Sequence, residues 1–125
     1  MESRNAWDSM IPSKLPSSLL SGLPDDFAKF LSSVISSGYV PIDWTLDTYT
    51  NTYFLWLSKG DYDMRIEWVD YNWLKEHPEV EPCPRKPVVT LSLRKYPHIM
   101  FKAYYTDANI SNMERLLEEK LKTVT

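Results

Sequence analysis

Apolar residues recur along this chain with two different periods. Between residues 24 and 37, Phe27, Phe30, Leu31, Val34 and Ile35 fall three and four apart, which is the stripe of an amphipathic helix. Pro24 suits the first helical position, Asp25 and Asp26 suit the positive end of the helix dipole, and Gly38 can take the left-handed conformation that ends a helix. From Tyr39 the period drops to two. Val40, Ile42, Trp44 and Leu46 alternate with Pro41, Asp43, Thr45 and Asp47, predicting a strand with one buried face, and Pro41 puts it at a sheet edge. Segments 53–58 and 62–69 then read as a hairpin about Lys59-Gly60-Asp61. In the later of these strands Met64, Ile66 and Trp68 share one face, and Asp63, Arg65, Glu67 and Val69 share the other. The earlier one, 53–57, is apolar on both faces, which predicts a central strand covered on both sides.

Asp70 can cap a short helix over 71–76 that Pro78 ends, and the prolines of 78–87 make a stiff connector. Segments 88–96 and 98–106 form a second hairpin, expected to turn at Tyr96-Pro97. A closing helix spans about 109–123 on the stripe Ile110, Met113, Leu116, Leu117 and Leu121. Its start can be capped by Asn109 or Asp107, or by the Ser111 and Glu114 box. Residues 1–22 show no period, only scattered apolar side chains with a possible helical turn near residues 2–8. The expectation is an irregular arm, 1–22, followed by one α+β domain, 23–125, with the order α-β-β-β-(short α)-β-β-α. Such a chain builds an antiparallel sheet of about five strands with the N- and C-terminal helices packed against it.

Composition agrees with that and excludes several classes. The 125 residues are 43% apolar and 14% aromatic, too rich for a disordered chain, and a single cysteine cannot staple the fold. No stretch approaches a membrane span or a secretory signal, so a soluble, cytoplasmic location is expected. Net charge is −3, unevenly spread: segment 23–80 holds ten acids against four bases, while 81–105 holds five bases against one acid. That balance makes nucleic acid an unlikely main partner, although the basic stretch could form a local positive face.

Candidate chemistry is sparse. Cys83 has only His77 and His98 as conceivable bases, and these three lack the spacing of zinc ligands, so neither a catalytic site, a metal site nor a cofactor is expected. The carboxylates Asp61, Asp63, Glu67 and Asp70 read as a solvated face rather than an acid–base pair. Pro84-Arg85-Lys86-Pro87 fits a minimal PxxP, for which a connector is the better reading. The feature of greatest weight is the aromatic and acidic segment with Tyr62, Asp63, Glu67, Asp70, Tyr71 and Trp73. Aromatics beside carboxylates suit capture of a protein with a basic surface. Trp44, Trp56 and Trp68 are expected in the core. An alternative basic face comprises Arg94, Lys95, Lys102 and Tyr104.

These features favour a non-catalytic protein-binding domain that masks or inhibits a partner protein, as small immunity proteins and phage-encoded inhibitors of host defence do. Over 24–122 the element order resembles that of the small acidic chaperones of bacterial type III secretion, a resemblance that implies a homodimer holding an extended stretch of an effector. A third possibility is a small-molecule or RNA module on the second hairpin, lined by Tyr96, His98, Lys102 and Tyr104.

Overall fold

A computed structural model describes residues 17–79 and 86–124. The helices are α1 (Ser17–Leu20), α2 (Asp25–Ser36), α3 (Tyr71–Glu76) and α4 (Ile110–Val124). The strands are β1 (Val40–Asp47), β2 (Thr52–Lys59), β3 (Tyr62–Val69), β4 (Val88–Leu93) and β5 (Tyr96–Tyr104). All five join one antiparallel sheet in the order β1-β2-β3-β4-β5. This is the α+β architecture expected from the sequence, in the expected order.

The core lies on one side of that sheet. Tyr53, Leu55 and Leu57 of β2, Met64, Ile66 and Trp68 of β3, Val89, Leu91 and Leu93 of β4 and Ile99 of β5 point the same way. They meet Phe27, Leu31, Val34 and Ile35 of α2 and Met113 and Leu117 of α4. Phe27 stands edge-on to Trp68 at 5.1 Å and to Tyr105 at 5.2 Å, the preferred aromatic geometry. Leu19, from the segment read as an irregular arm, is fully buried in the same cluster. The helical turn expected near residues 2–8 lies outside the described residues, as do Cys83, Pro84 and Arg85.

Helix ends follow local chemistry. Pro24 sits just before α2 rather than inside it, and its carbonyl accepts from the Ala28 N–H at 2.9 Å. Gly38, at φ 107°, lets the Gly38 and Tyr39 N–H groups close back on Ile35 and Val34. Asp70 Oδ1 accepts from the N–H groups of Asn72 and Trp73, and Asn109 Oδ1 accepts from Asn112 N–H at 3.0 Å, so Asn109 caps α4.

A polar set pins α4 to the sheet. Glu114 accepts from the Tyr39 hydroxyl and pairs with Lys59 Nζ, both at 2.7 Å, and one turn on Glu118 accepts from the Tyr62 hydroxyl at 2.7 Å. Burial first, and then the adjoining carboxylates, hold both tyrosines well above their ordinary value.

Three expectations need correction. Val40, Ile42 and Leu46 were expected to be buried but are 44%, 51% and 36% exposed, and Trp44 is only half-buried. A bulge between Pro41 and Asp43 shifts the register, so Pro41 faces Leu57 and takes the buried place while Ile42 is left outside. Beyond it Trp44 packs against the core from the sheet edge, while Leu46 stays exposed. The second hairpin turns at Arg94-Lys95, with Leu93 opposite Tyr96, because an irregularity at the end of β4 advances the turn. Finally, β2 has an interior place in the sheet, yet only one of its faces is covered by the core cluster.

At neutral pH Gly38→Ala is expected to cost about 1–2 kcal/mol, since its φ disfavours a side chain and the new methyl would meet Lys59 Cδ at 2.9 Å. Chemical denaturation measures it. The raised tyrosines predict an alkaline limit: they hold their protons longer in the folded chain. Their contribution is whole below the ordinary tyrosine value of 10 and falls away as pH rises above it. The melting temperature should therefore be steady up to pH 9 and drop beyond pH 10, less steeply in Tyr62→Phe.

Candidate functional site

Strand alternation sends every second residue of the sheet away from the core. Read across the hydrogen-bonded registers, these residues form rows. One runs Asp43, Trp56, Arg65, Thr90, Lys102, and the next runs Thr45, Phe54, Glu67, Val88, Tyr104. None of them belongs to the core cluster or packs against it. Phe54 and Trp56 stack at 6.0 Å between ring centroids, both half-buried by their neighbours on the sheet, and the Arg65 guanidinium lies 5.8 Å from the centre of the Phe54 ring. Toward β5 the face ends in Met100 at 45% exposure, Lys102 and Tyr104.

Two shallow depressions mark this face. One, of about 210 Å³, lies over Thr52, Phe54, Glu67, Val69 and Val88 with Lys86 at its rim. The other, of about 290 Å³, lies over Trp56, Arg65, Thr90, Ser92 and Met100. Enclosed small-molecule sites run from about 300 Å³ upward, so both suit inserted side chains better than a whole ligand. Among the described residues Arg65 Nε and Thr90 Oγ1, opposite one another in the register, are buried without a hydrogen-bond partner. Arg65 does pair with Glu67 through Nη2 at 3.5 Å, and Asp63 is paired with Arg94 at 3.0 Å. Asp43 Oδ1 accepts from the Trp44 N–H at 2.8 Å and Asp47 Oδ1 from the Tyr49 N–H at 2.9 Å.

The six residues singled out in the sequence are spread over three places. Asp63 and Glu67 stand on the face turned away from the core, which is uncovered among the described residues. Tyr62 lies on the core side, bonded to Glu118, and Tyr71 packs against the core, its hydroxyl pushed up to about 12 by burial and by nearby Tyr105. Asp70 caps α3, and Trp73 stacks on His77 at 4.2 Å at the far end of that helix. In the basic set, Arg94 and Lys95 occupy a turn, whereas Lys102 and Tyr104 join Asp63 and Glu67 on the uncovered face. Tyr96 and His98 are exposed, their rings nearly perpendicular with centroids 6.3 Å apart.

Sequence reasoning missed Phe54, Trp56, Arg65 and Thr90 as a group. Trp68 is in the core as expected; Trp56 is not, because it alternates with Leu55 and Leu57 and so faces away from both long helices. The signal was present: the partners of Phe54 and Trp56 in β3 are Glu67 and Arg65, and a row bearing charges is not a covered row.

Among the described residues no group of three or more His, Cys, Asp or Glu is placed to hold a metal ion, and no helix is long and apolar enough to cross a membrane. The chain matches no family model, no curated protein and no solved structure.

The two tryptophans should respond differently to truncation. Trp68→Ala is expected to cost about 3–5 kcal/mol, as for a large core side chain, and Trp56→Ser less than about 1.5 kcal/mol. Urea unfolding of both variants checks the assignment.

Proposed function

We propose that this chain is a non-catalytic protein-binding domain that masks or inhibits a partner protein, and that it does so with the uncovered face of its sheet. The observation that carries this reading is the stacked pair Phe54 and Trp56 with Arg65 against it, outside the core on a face with no helix above it among the described residues. Trp and Arg are the side chains that most often dominate binding energy. On the β1 side Asp43 and Asp47 favour a basic strip on the partner. The same two carboxylates repel phosphate, which disfavours the RNA reading on the β1 side of this face.

Binding to immobilised protein tests the reading. Trp56→Ser and Phe54→Ser are expected to weaken capture of the partner at least about tenfold while melting within a few degrees of the parent. Trp73→Ala, at the α3 end, should capture normally. Loss of capture in Trp73→Ala with none in Trp56→Ser would move the binding surface to 70–73.

A further inference from the structure

The two borders of the sheet differ. β1 is interrupted by Pro41 and the bulge beside it, whereas β5 runs in regular register against β4 from Met100 to Tyr104. In an antiparallel ladder alternate residues turn their N–H and C=O groups toward one neighbour and the rest toward the other. The Arg94 N–H bonds to the Asp61 carbonyl at 2.8 Å, a phase that commits the backbones of Val88, Thr90 and Ser92 to β3. The Tyr105 N–H bonds to the Pro87 carbonyl at 2.9 Å, which commits Val89 and Leu91 to Ala103 and Phe101. Both bonds fix the same alternation, so the backbone groups of Met100, Lys102 and Tyr104 point away from β4. The Tyr104 carbonyl accepts from the Asp107 N–H at 2.9 Å. The N–H groups of all three residues and the carbonyls of Met100 and Lys102 meet no partner among the described residues.

Such a row of alternating donors and acceptors is matched by another extended backbone, which has the same spacing. Side chains decide which one. Met100 and Tyr104, at 45% and 48% exposure, flank Lys102 on the side of the sheet away from the core. On the core side Lys120 Nζ lies 5.4 Å from the centre of the Phe101 ring. Lys102 and Lys120 are exposed and take part in no ion pair among the described residues, and β5 carries no carboxylate of its own. We propose that this edge receives a short extended segment of another protein as a sixth strand. An acidic residue of that segment stands opposite Lys102, with apolar residues two positions to either side, beside Met100 and Tyr104. A second copy of β5 does not fit, because the antiparallel two-fold register that pairs all three positions sets Lys102 opposite its own copy. The contact uses main chain and β5 side chains without Phe54 or Trp56. It therefore goes beyond the masking surface proposed above and stands or falls independently of it.

The probe is a capped, fluorescein-labelled peptide of sequence Thr-Val-Thr-Glu-Thr-Val-Thr, compared with one carrying lysine in place of the glutamate. Fluorescence anisotropy at low salt should show the glutamate peptide binding with a Kd below about 1 mM. Exchange of its glutamate for lysine, or Lys102→Glu in the protein, should each weaken binding at least about tenfold, and Lys102→Glu should prefer the lysine peptide. Methylation of the valine and glutamate nitrogens, which face the edge, should abolish binding. Circular dichroism confirms that Lys102→Glu is folded. Amide hydrogen exchange read by NMR locates the contact. In the free chain the Met100, Lys102 and Tyr104 amides should exchange at least about tenfold faster than those of Phe101 and Ala103, and saturating peptide should slow those three by a similar factor. Equal protection of all five amides in the free chain overturns the proposal, as does no binding of the glutamate peptide or undiminished binding of the methylated one. Trp56→Ser should bind the peptide as the parent does. Loss of peptide binding in that variant, with no slowing at Met100, Lys102 and Tyr104 in the parent, would move the peptide to the sheet face and overturn the edge site.

Discussion

The two long helices among the described residues are too few to sandwich five strands. Strands spaced about 4.8 Å apart make a sheet roughly 24 Å wide, and two helices packed about 10 Å apart cover roughly that width once. With α2 and α4 both committed to the side of Leu55, Ile66 and Leu91, no long helix among the described residues stands on the other side. Every other feature of the molecule is arranged around this shortage of cover. The apolar content of the chain goes chiefly into one layer, and the strands carry charges, hydroxyls and two stacked rings on the other.

What fixes that arrangement at the α4 side is polar rather than apolar. Of the described side chains of α4, Met113 and Leu117 are the deeply buried ones, so its register along the sheet depends on the bonds from Tyr39 and Tyr62 to Glu114 and Glu118, one helical turn apart. Lys59 joins the end of α2 to α4: it pairs with Glu114, lies 4.8 Å from the centre of the Tyr39 ring, and donates to the Ser37 carbonyl at 3.3 Å. Gly38 is where the backbone must come close to that lysine, since a Cβ there would strike its stem. A half-buried cluster of this kind adds modest stability, but its geometry holds the two helices in one relation to the sheet.

Periodicity made the architecture legible in advance. The 3.6-residue stripes of α2 and α4 and the two-residue alternation of β3 are strong signals, and Gly60 and Asp70 carried their roles in their residue types. Two things were hidden. The bulge at Pro41–Asp43 changes which residues of β1 face inward by a single position, and no pattern of residue types distinguishes that from regular alternation. The candidate site was obscured by treating aromatic richness as a property of a segment. Tyr62 and Asp63 are neighbours in sequence but point to opposite sides of the sheet, whereas Trp56 and Arg65 are far apart in sequence and adjacent in space. A face assembled from five strands becomes visible only when registers are known.

The edge strand β1 has a further consequence. It offers no Pro41 N–H, its Trp44 N–H is already occupied by the Asp43 carboxylate, and its backbone is offset by the bulge. An incoming chain would find donors missing or taken along much of this border, despite the attraction of bare Val40 and Ile42. Ribbon-like growth of one sheet onto the next, the first step toward fibrils, is thereby obstructed at β1.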